Sequence, residues 1–278
     1  MPQEVTAEGT SRSVRTRDWK IHYNEAGEGH PVVMLHGSGP GATGWSNFGP
    51  NIKVLADRFR VIAPDMPGWG ESDAVLPEKR DHVQAAVQLL DELGIEKAAF
   101  VGNSMGGMTS IKLASEYPDR ISHLITMGAG GPGPALFTPG GGVSEGLKIL
   151  LRTYEDPSPE GMRALIDVMT YNPAFASEEL VRQRSDAARA HPDHLSNFIS
   201  AFPTGMAWST AEEVATIRTP TLLLHGRDDR VMPAEASLRL LSLIPDSRLV
   251  LINRCGHWLQ LEHADEFNRL LADFVSSR

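Results

Sequence analysis

"VGNSMGG" (Val101–Gly107) sets one serine among three glycines. Glycine weakens helices and strands alike, so such a stretch is either a slack loop or a turn too tight for side chains. The flanks decide. "KAAFVG" (Lys97–Gly102) is a short apolar run that reads as a strand, and a helix is predicted from about Met105 to Tyr117, stopped by Pro118. A Gly102-x-Ser104-x-Gly106 turn between strand and helix is the pattern of a nucleophile elbow, whose strained backbone lifts a serine hydroxyl clear of a sheet. The helix starting at Met105 also points free N–H groups toward that serine.

Outward from the elbow the chain alternates in period. "DWKIHYNEAG" alternates apolar and polar residues and reads as a half-buried strand. "PVVMLHG" (Pro31–Gly37) and "RVIAPD" (Arg60–Asp65) are compact apolar runs, as in strands buried on both faces. "RDHVQAAVQLLDELG" repeats its apolar residues at helical spacing, with Gly94 placed to end the helix. "ISHLITMG", "PTLLLHGRDD" and "SRLVLIN" read as further strands, with helices near Ala234–Leu243 and in "ADEFNRLLADFV". This alternation predicts an α/β fold with a mostly parallel central sheet flanked by helices. The pattern breaks at "GAGGPGPALFTPGGG" (Gly128–Gly142), and from about Leu147 to Trp208 only helices are expected. Residues 1–134 and 210–278 are therefore expected to form the core, with 135–209 inserted as a helical lid.

The chain has 278 residues and a net charge of −9, which argues against a nucleic-acid partner. It holds one cysteine, Cys255, which suits a reducing cytoplasm and excludes an intrachain disulfide. No secretory h-region or membrane-spanning run is read, and the ten histidines show no metal-ligand spacing, so neither metal nor cofactor is expected.

A serine nucleophile needs a base and the base an orienting carboxylate. "INRCGHW" places His257 after the last strand, and "HGRDDRVMP" places Asp228 and Asp229 after the preceding one. The order Ser, Asp, His fits a hydrolase triad of Ser104, Asp229 and His257. Asp229 is preferred for its spacing to Pro233; Asp228 reads as a turn or ion-pair residue. An oxyanion hole needs two backbone donors, expected from Met105 and from Ser38 or Gly39 in "HGSGPGATGW". His36 is expected to brace that loop.

These motifs resemble the α/β-hydrolase fold over nearly the whole chain. More narrowly, "HGSGPGATGWSNF" (His36–Phe48), "GNSMGGMTSIKLASEYPDRI" (Gly102–Ile121), "GRDDRVMP" (Gly226–Pro233) and "RCGHWLQLEHADEFNRL" (Arg254–Leu270) resemble the meta-cleavage-product hydrolases. That resemblance implies cleavage of a C–C bond in 2-hydroxy-6-oxo-hexa-2,4-dienoates from aromatic degradation, giving 2-hydroxypenta-2,4-dienoate and a carboxylic acid. It implies Arg184 as the cation for the substrate carboxylate, with Asn47 and Asn103 at the same polar end and Gly39 beside them. Beside that resemblance, Trp258 reads as stacking on the conjugated chain or simply packing, and Met169 and Phe175 as lining the acyl pocket or as lid core. A small-molecule dienoate substrate and a cytoplasmic homo-oligomer, dimer or higher, complete the expectation. The rival readings are a carboxylesterase or lipase-like hydrolase, which needs no carboxylate anchor, and a small-molecule receptor.

Overall fold

A computed structural model describes residues 5–133, 143–200, 202 and 206–277. The strands are β1 (Ser11–Arg15), β2 (Lys20–Ala26), β3 (His30–Leu35), β4 (Phe59–Pro64), β5 (Ala98–Asn103), β6 (Ile121–Met127), β7 (Thr221–Gly226) and β8 (Ser247–Ile252). They form one sheet in the order β1-β2-β4-β3-β5-β6-β7-β8. β1 and β2 run antiparallel to their neighbours, and every other pairing is parallel. The mostly parallel α/β sheet read from sequence is thus what forms.

The helices are α1 (Ala7–Thr10), α2 (Gly44–Leu55), α3 (His82–Glu92), α4 (Met105–Glu116), α5 (Glu145–Glu155), α6 (Pro159–Met169), α7 (Glu178–Ala190), α8 (Pro192–Ile199), α9 (Ala211–Ala215), α10 (Glu235–Leu243), α11 (Leu259–Glu262) and α12 (Ala264–Ser276). Alternate residues of each central strand feed two cores. Val32, Met34, Val61 and Val101 pack with Phe48 and Ile52 of α2 and with Phe267 and Leu271 of α12. Val33, Leu35, Ile62 and Phe100 pack with α3, α4 and the buried faces of α5–α8. Each large apolar side chain so buried contributes about 1.5–3 kcal/mol, which holds helices of modest intrinsic propensity in place.

Neither β1 nor α2 was expected from the sequence. β1 is an exposed edge strand with only Val14 half-buried, so it carries no apolar alternation. α2 contains Gly44, Gly49 and Pro50, a composition that argues against a helix. It forms because Thr43 and Ser46 build a reciprocal capping box, and because Phe48, Ile52 and Leu55 are buried against the sheet. The expected boundary at 134/135 and the Gly/Pro-rich 134–142 lie outside the described residues. Among the described residues no helix is long and apolar enough to cross a membrane.

Candidate active site

The turn between β5 and α4 is strained as its sequence implied. Ser104 has φ 53° and ψ −115°, one of two non-glycine residues described with positive φ. A side chain at Gly106 would collide with the Leu35 carbonyl, and one at Gly102 with the Gly106 backbone. The glycines are therefore required by the closeness of β3, β5 and α4. Met105 begins α4, and its N–H has no acceptor among the described residues.

Asp229 follows β7 and His257 follows β8. His257 Nδ1 lies 2.7 Å from Asp229 Oδ2, and both side chains are almost fully buried. Asp229 Oδ1 accepts from the amides of Val231 (2.7 Å) and Met232 (2.9 Å). His225 Nε2 stands 3.3 Å from Asp229 Oδ2 and 2.8 Å from the Met232 carbonyl. Both are acceptors, so that nitrogen carries a proton and donates. Burial by itself would raise the Asp229 pKa, but the charge on His257 and the hydrogen bonds from His225 and His257 outweigh it. The carboxyl is held below its ordinary range and is ionised at neutral pH. With Nδ1–H directed at Asp229, Nε2 is the ring nitrogen of His257 that is left to act as the base. Asp228 instead pairs with Arg227 (3.2 Å) and accepts from the Arg254 amide (3.0 Å).

A cavity of about 10 Å³ holds Gly37, Ser38, Gly39, Asn47, Asn103 and Ser104 from the core side. Leu150, Met169, Arg184, His257 and Trp258 close it from α5–α7 and from the loop after β8. His257 and Trp258 both donate their amides to the Met169 carbonyl, at 2.7 and 3.2 Å, so the α6 end fixes the loop bearing the histidine. Asn103 Nδ2 donates to the His257 carbonyl at 3.0 Å, and its buried Oδ1 has no partner among the described residues. Asn47 Nδ2 donates to the Thr43 carbonyl at 3.0 Å. A Cβ at Gly39 would meet nothing within 4 Å.

Arg184 is buried at 4 % exposure, with its guanidinium carbon 4.6 Å from the Trp258 ring centroid. Burial lowers its pKa to about 10, still cationic at neutral pH. No carboxylate pairs with it among the described residues, and its Nε has no partner there. Nη2 donates to the Ser46 carbonyl at 2.9 Å. That carbonyl is free because its helical donor would be the amide of residue 50, and Pro50 has none.

The alpha/beta hydrolase family matches residues 32–270. A 2-hydroxy-6-oxo-6-phenylhexa-2,4-dienoate hydrolase of Comamonas testosteroni is 44% identical, over 99% of each chain. A 2-hydroxy-6-oxononadienedioate/2-hydroxy-6-oxononatrienedioate hydrolase of Cupriavidus pinatubonensis is 41% identical, over 99% of this chain and 98% of that one. A solved meta-cleavage product hydrolase of Pseudomonas fluorescens IP01 superposes with a TM-score of 0.86 at 35% identity, over 96% of this chain and 97% of that one. The chain belongs to the alpha/beta hydrolase family, among its meta-cleavage-product hydrolases.

In this meta-cleavage-product hydrolase relative, the residues singled out from sequence are brought together with one exception. Phe175 lies in a 3₁₀ turn (Pro173–Phe175), packed on the outer core and outside the cavity lining. Sequence reading missed His225, whose Nε2 steadies Asp229, though "LLLHGRDD" placed it four residues away. It also missed Gly128 at φ 53°, where a Cβ would lie 2.8 Å from His257 Nδ1. Its signal was the glycine ending "ISHLITMG".

Proposed function

We propose that the chain hydrolyses the C5–C6 bond of 2-hydroxy-6-oxo-hexa-2,4-dienoates carrying a 6-alkyl or 6-aryl group. The observation that carries this reading is the buried Arg184, without a carboxylate partner among the described residues, in the same small cavity as Ser104 and His257. A desolvated guanidinium is costly unless an anion reaches it, and a carboxylate can accept two parallel hydrogen bonds from it. A neutral ester has no use for such a group.

In this reading α5–α8 belong to a lid spanning 135–209 over a core of 1–134 and 210–278. Arg184 holds the C1 carboxylate, while Asn47 and Asn103 face the C2 oxygen, and Gly39 leaves open space beside them. Trp258 packs on the conjugated chain, and Met169 borders the acyl group. The bound 2-hydroxy-dienoate is first ketonised: its 2-hydroxyl gives up a proton and C5 takes one, leaving a ketone that can accept the electron pair of the breaking bond. His257 Nε2 then takes a proton from Ser104 or from a water as that oxygen adds to C6. The developing oxyanion meets the N–H groups of Met105 and the Ser38 segment. Collapse breaks the C5–C6 bond and the pair moves into the ketone as a dienolate. In the water route this releases the carboxylic acid directly; in the Ser104 route it leaves an acyl ester that a water, activated by His257, hydrolyses to the acid and free Ser104. No cofactor enters any step. The enzyme is read as cytoplasmic from its single cysteine and as a homo-oligomer from its resemblance.

The test compares Arg184→Ala on a dienoate and on p-nitrophenyl acetate. Loss of a charged pair of about 1.5–3 kcal/mol predicts a kcat/KM drop of about 10- to 150-fold on the dienoate and little change on the ester. Equal losses on both would favour an esterase.

A further inference from the structure

Behind Ser38 and Gly39 runs a line of contacts that joins the sheet to the helices above it. Tyr154, on α5, is buried, and its hydroxyl donates to the Ser38 carbonyl at 2.5 Å. The same oxygen accepts from Trp69 Nε1 at 3.2 Å, and that N–H is shared with the Gly39 carbonyl at 3.1 Å. With Trp69 donating to the phenol oxygen, the phenol's one proton is committed to Ser38. The Tyr154 ring stacks on Phe198 of α8, 4.3 Å between centroids and 19° between planes. Burial raises the Tyr154 pKa, so the group is a neutral donor.

From the sheet side, His36 Nδ1 bonds the Gly37 carbonyl at 2.7 Å, and its Nε2 accepts from the Met66 amide at 2.9 Å. In a trans peptide the N–H points opposite to the preceding C=O. His36 therefore sets the direction of the Ser38 N–H, and Tyr154 sets that of the Gly39 N–H. Neither N–H has an acceptor among the described residues.

We propose that Tyr154 is a positioning residue for the oxyanion hole. Clamped by Trp69, it fixes the Ser38–Gly39 peptide plane, so that the loop amides are aligned only while α5 is docked on the core. The inference rests on the reading of this segment as an oxyanion donor and adds what orients it. One consequence is that the helices carrying the Arg184 anchor also complete the hydrolytic machinery. Tyr154 itself touches no reacting atom.

Tyr154→Phe removes only the hydroxyl. Misplacing one oxyanion donor predicts a fall in kcat of about 10- to 100-fold on the dienoate, with KM changed less than about 2-fold. The kcat on p-nitrophenyl acetate should fall by a similar factor, because that reaction uses the same donors. In a Ser104→Ala background, adding Tyr154→Phe should leave the dienoate dissociation constant unchanged. Trp69→Phe, which removes the clamp and keeps the phenol, should lower kcat in the same direction by less. Circular dichroism confirms that each variant is folded; if Tyr154→Phe is not, Trp69→Phe decides by the same criteria. Unchanged kcat in the folded variant overturns the proposal. So does a loss of ground-state binding as large as the loss in kcat/KM. Failure of the dienoate reading shows separately, as wild-type enzyme that turns over the ester and no dienoate.

Discussion

Pro50 leaves the Ser46 carbonyl without its helical donor, and Arg184 Nη2 occupies that carbonyl at 2.9 Å. A residue that weakens α2 as a helix thus supplies the acceptor that holds the guanidinium over Trp258. Pro50→Ala restores an amide that competes for the carbonyl. The variant should melt at the same temperature or higher, since proline inside a helix costs about 3 kcal/mol where it breaks a bond. KM for a dienoate should rise by about 3-fold, a fraction of one charged hydrogen bond. An unchanged KM would show that this carbonyl does not position Arg184.

Asp229 holds His257 through Nδ1 and is itself held by two amides and His225. Asp229→Asn keeps the shape but offers His257 no anion and can turn the wrong tautomer toward Ser104. In serine hydrolases built this way the change lowers kcat by about 10⁴-fold. A similar loss is expected here on dienoate and ester alike, measured as kcat with the melting temperature as control. A loss under about 10-fold would remove Asp229 from the triad.

The glycines separate by what surrounds them. Gly106→Ala drives a methyl into the Leu35 carbonyl, a backbone atom that cannot swing aside. The expected cost is about 3 kcal/mol or more, seen as a lowered midpoint in urea. Gly39→Ala adds its methyl to open space at the cavity. It should melt within a degree or two of wild type, a change of about 0.5 kcal/mol or less, while KM rises as the methyl takes substrate volume.

Much of this was legible in the sequence. The elbow could be read because a strand–turn–helix crossing forces glycine at Gly102 and Gly106 whatever the substrate. Asp229 and His257 could be placed because each follows a strand of the alternating pattern, in the chain order Ser, Asp, His. α2 was not legible: its glycines and Pro50 oppose a helix, and the Thr43–Ser46 capping box together with burial of Phe48, Ile52 and Leu55 against distant residues reverses that. β1 left no signal because an exposed edge strand needs no apolar face. Phe175 reads as either acyl-pocket lining or lid core, and the short turn it sits on leaves it packed on the core, outside the cavity lining. The contact of Tyr154 with Ser38 joins distant parts of the chain and has no local pattern.

His22 Nδ1 lies 2.8 Å from Asp65 Oδ2, and Asp65 Oδ1 accepts from the Gly44 amide at the start of α2. The hydrogen bond to Asp65 raises the His22 pKa; burial opposes it, while the charges of Asp65 and Glu71 add to it and Lys20 subtracts. A group whose pKa is raised on folding stabilises fully below its unfolded value, about 6.5, and loses that contribution as pH climbs through the folded value. The melting-temperature gap between wild type and His22→Gln should be widest near pH 6 and close toward pH 9. A gap that widens with rising pH would contradict the pairing.

The central claim is that this site breaks carbon–carbon bonds. Purified protein should be mixed with a series of 6-substituted 2-hydroxy-6-oxo-hexa-2,4-dienoates, following loss of the dienolate's visible absorbance and the products formed. The account predicts multiple turnovers with at least one of them, releasing 2-hydroxypenta-2,4-dienoate and the matching carboxylic acid in equal amounts, and no turnover by Ser104→Ala. Absorbance that persists with every dienoate, beside rapid hydrolysis of a neutral ester, would contradict it.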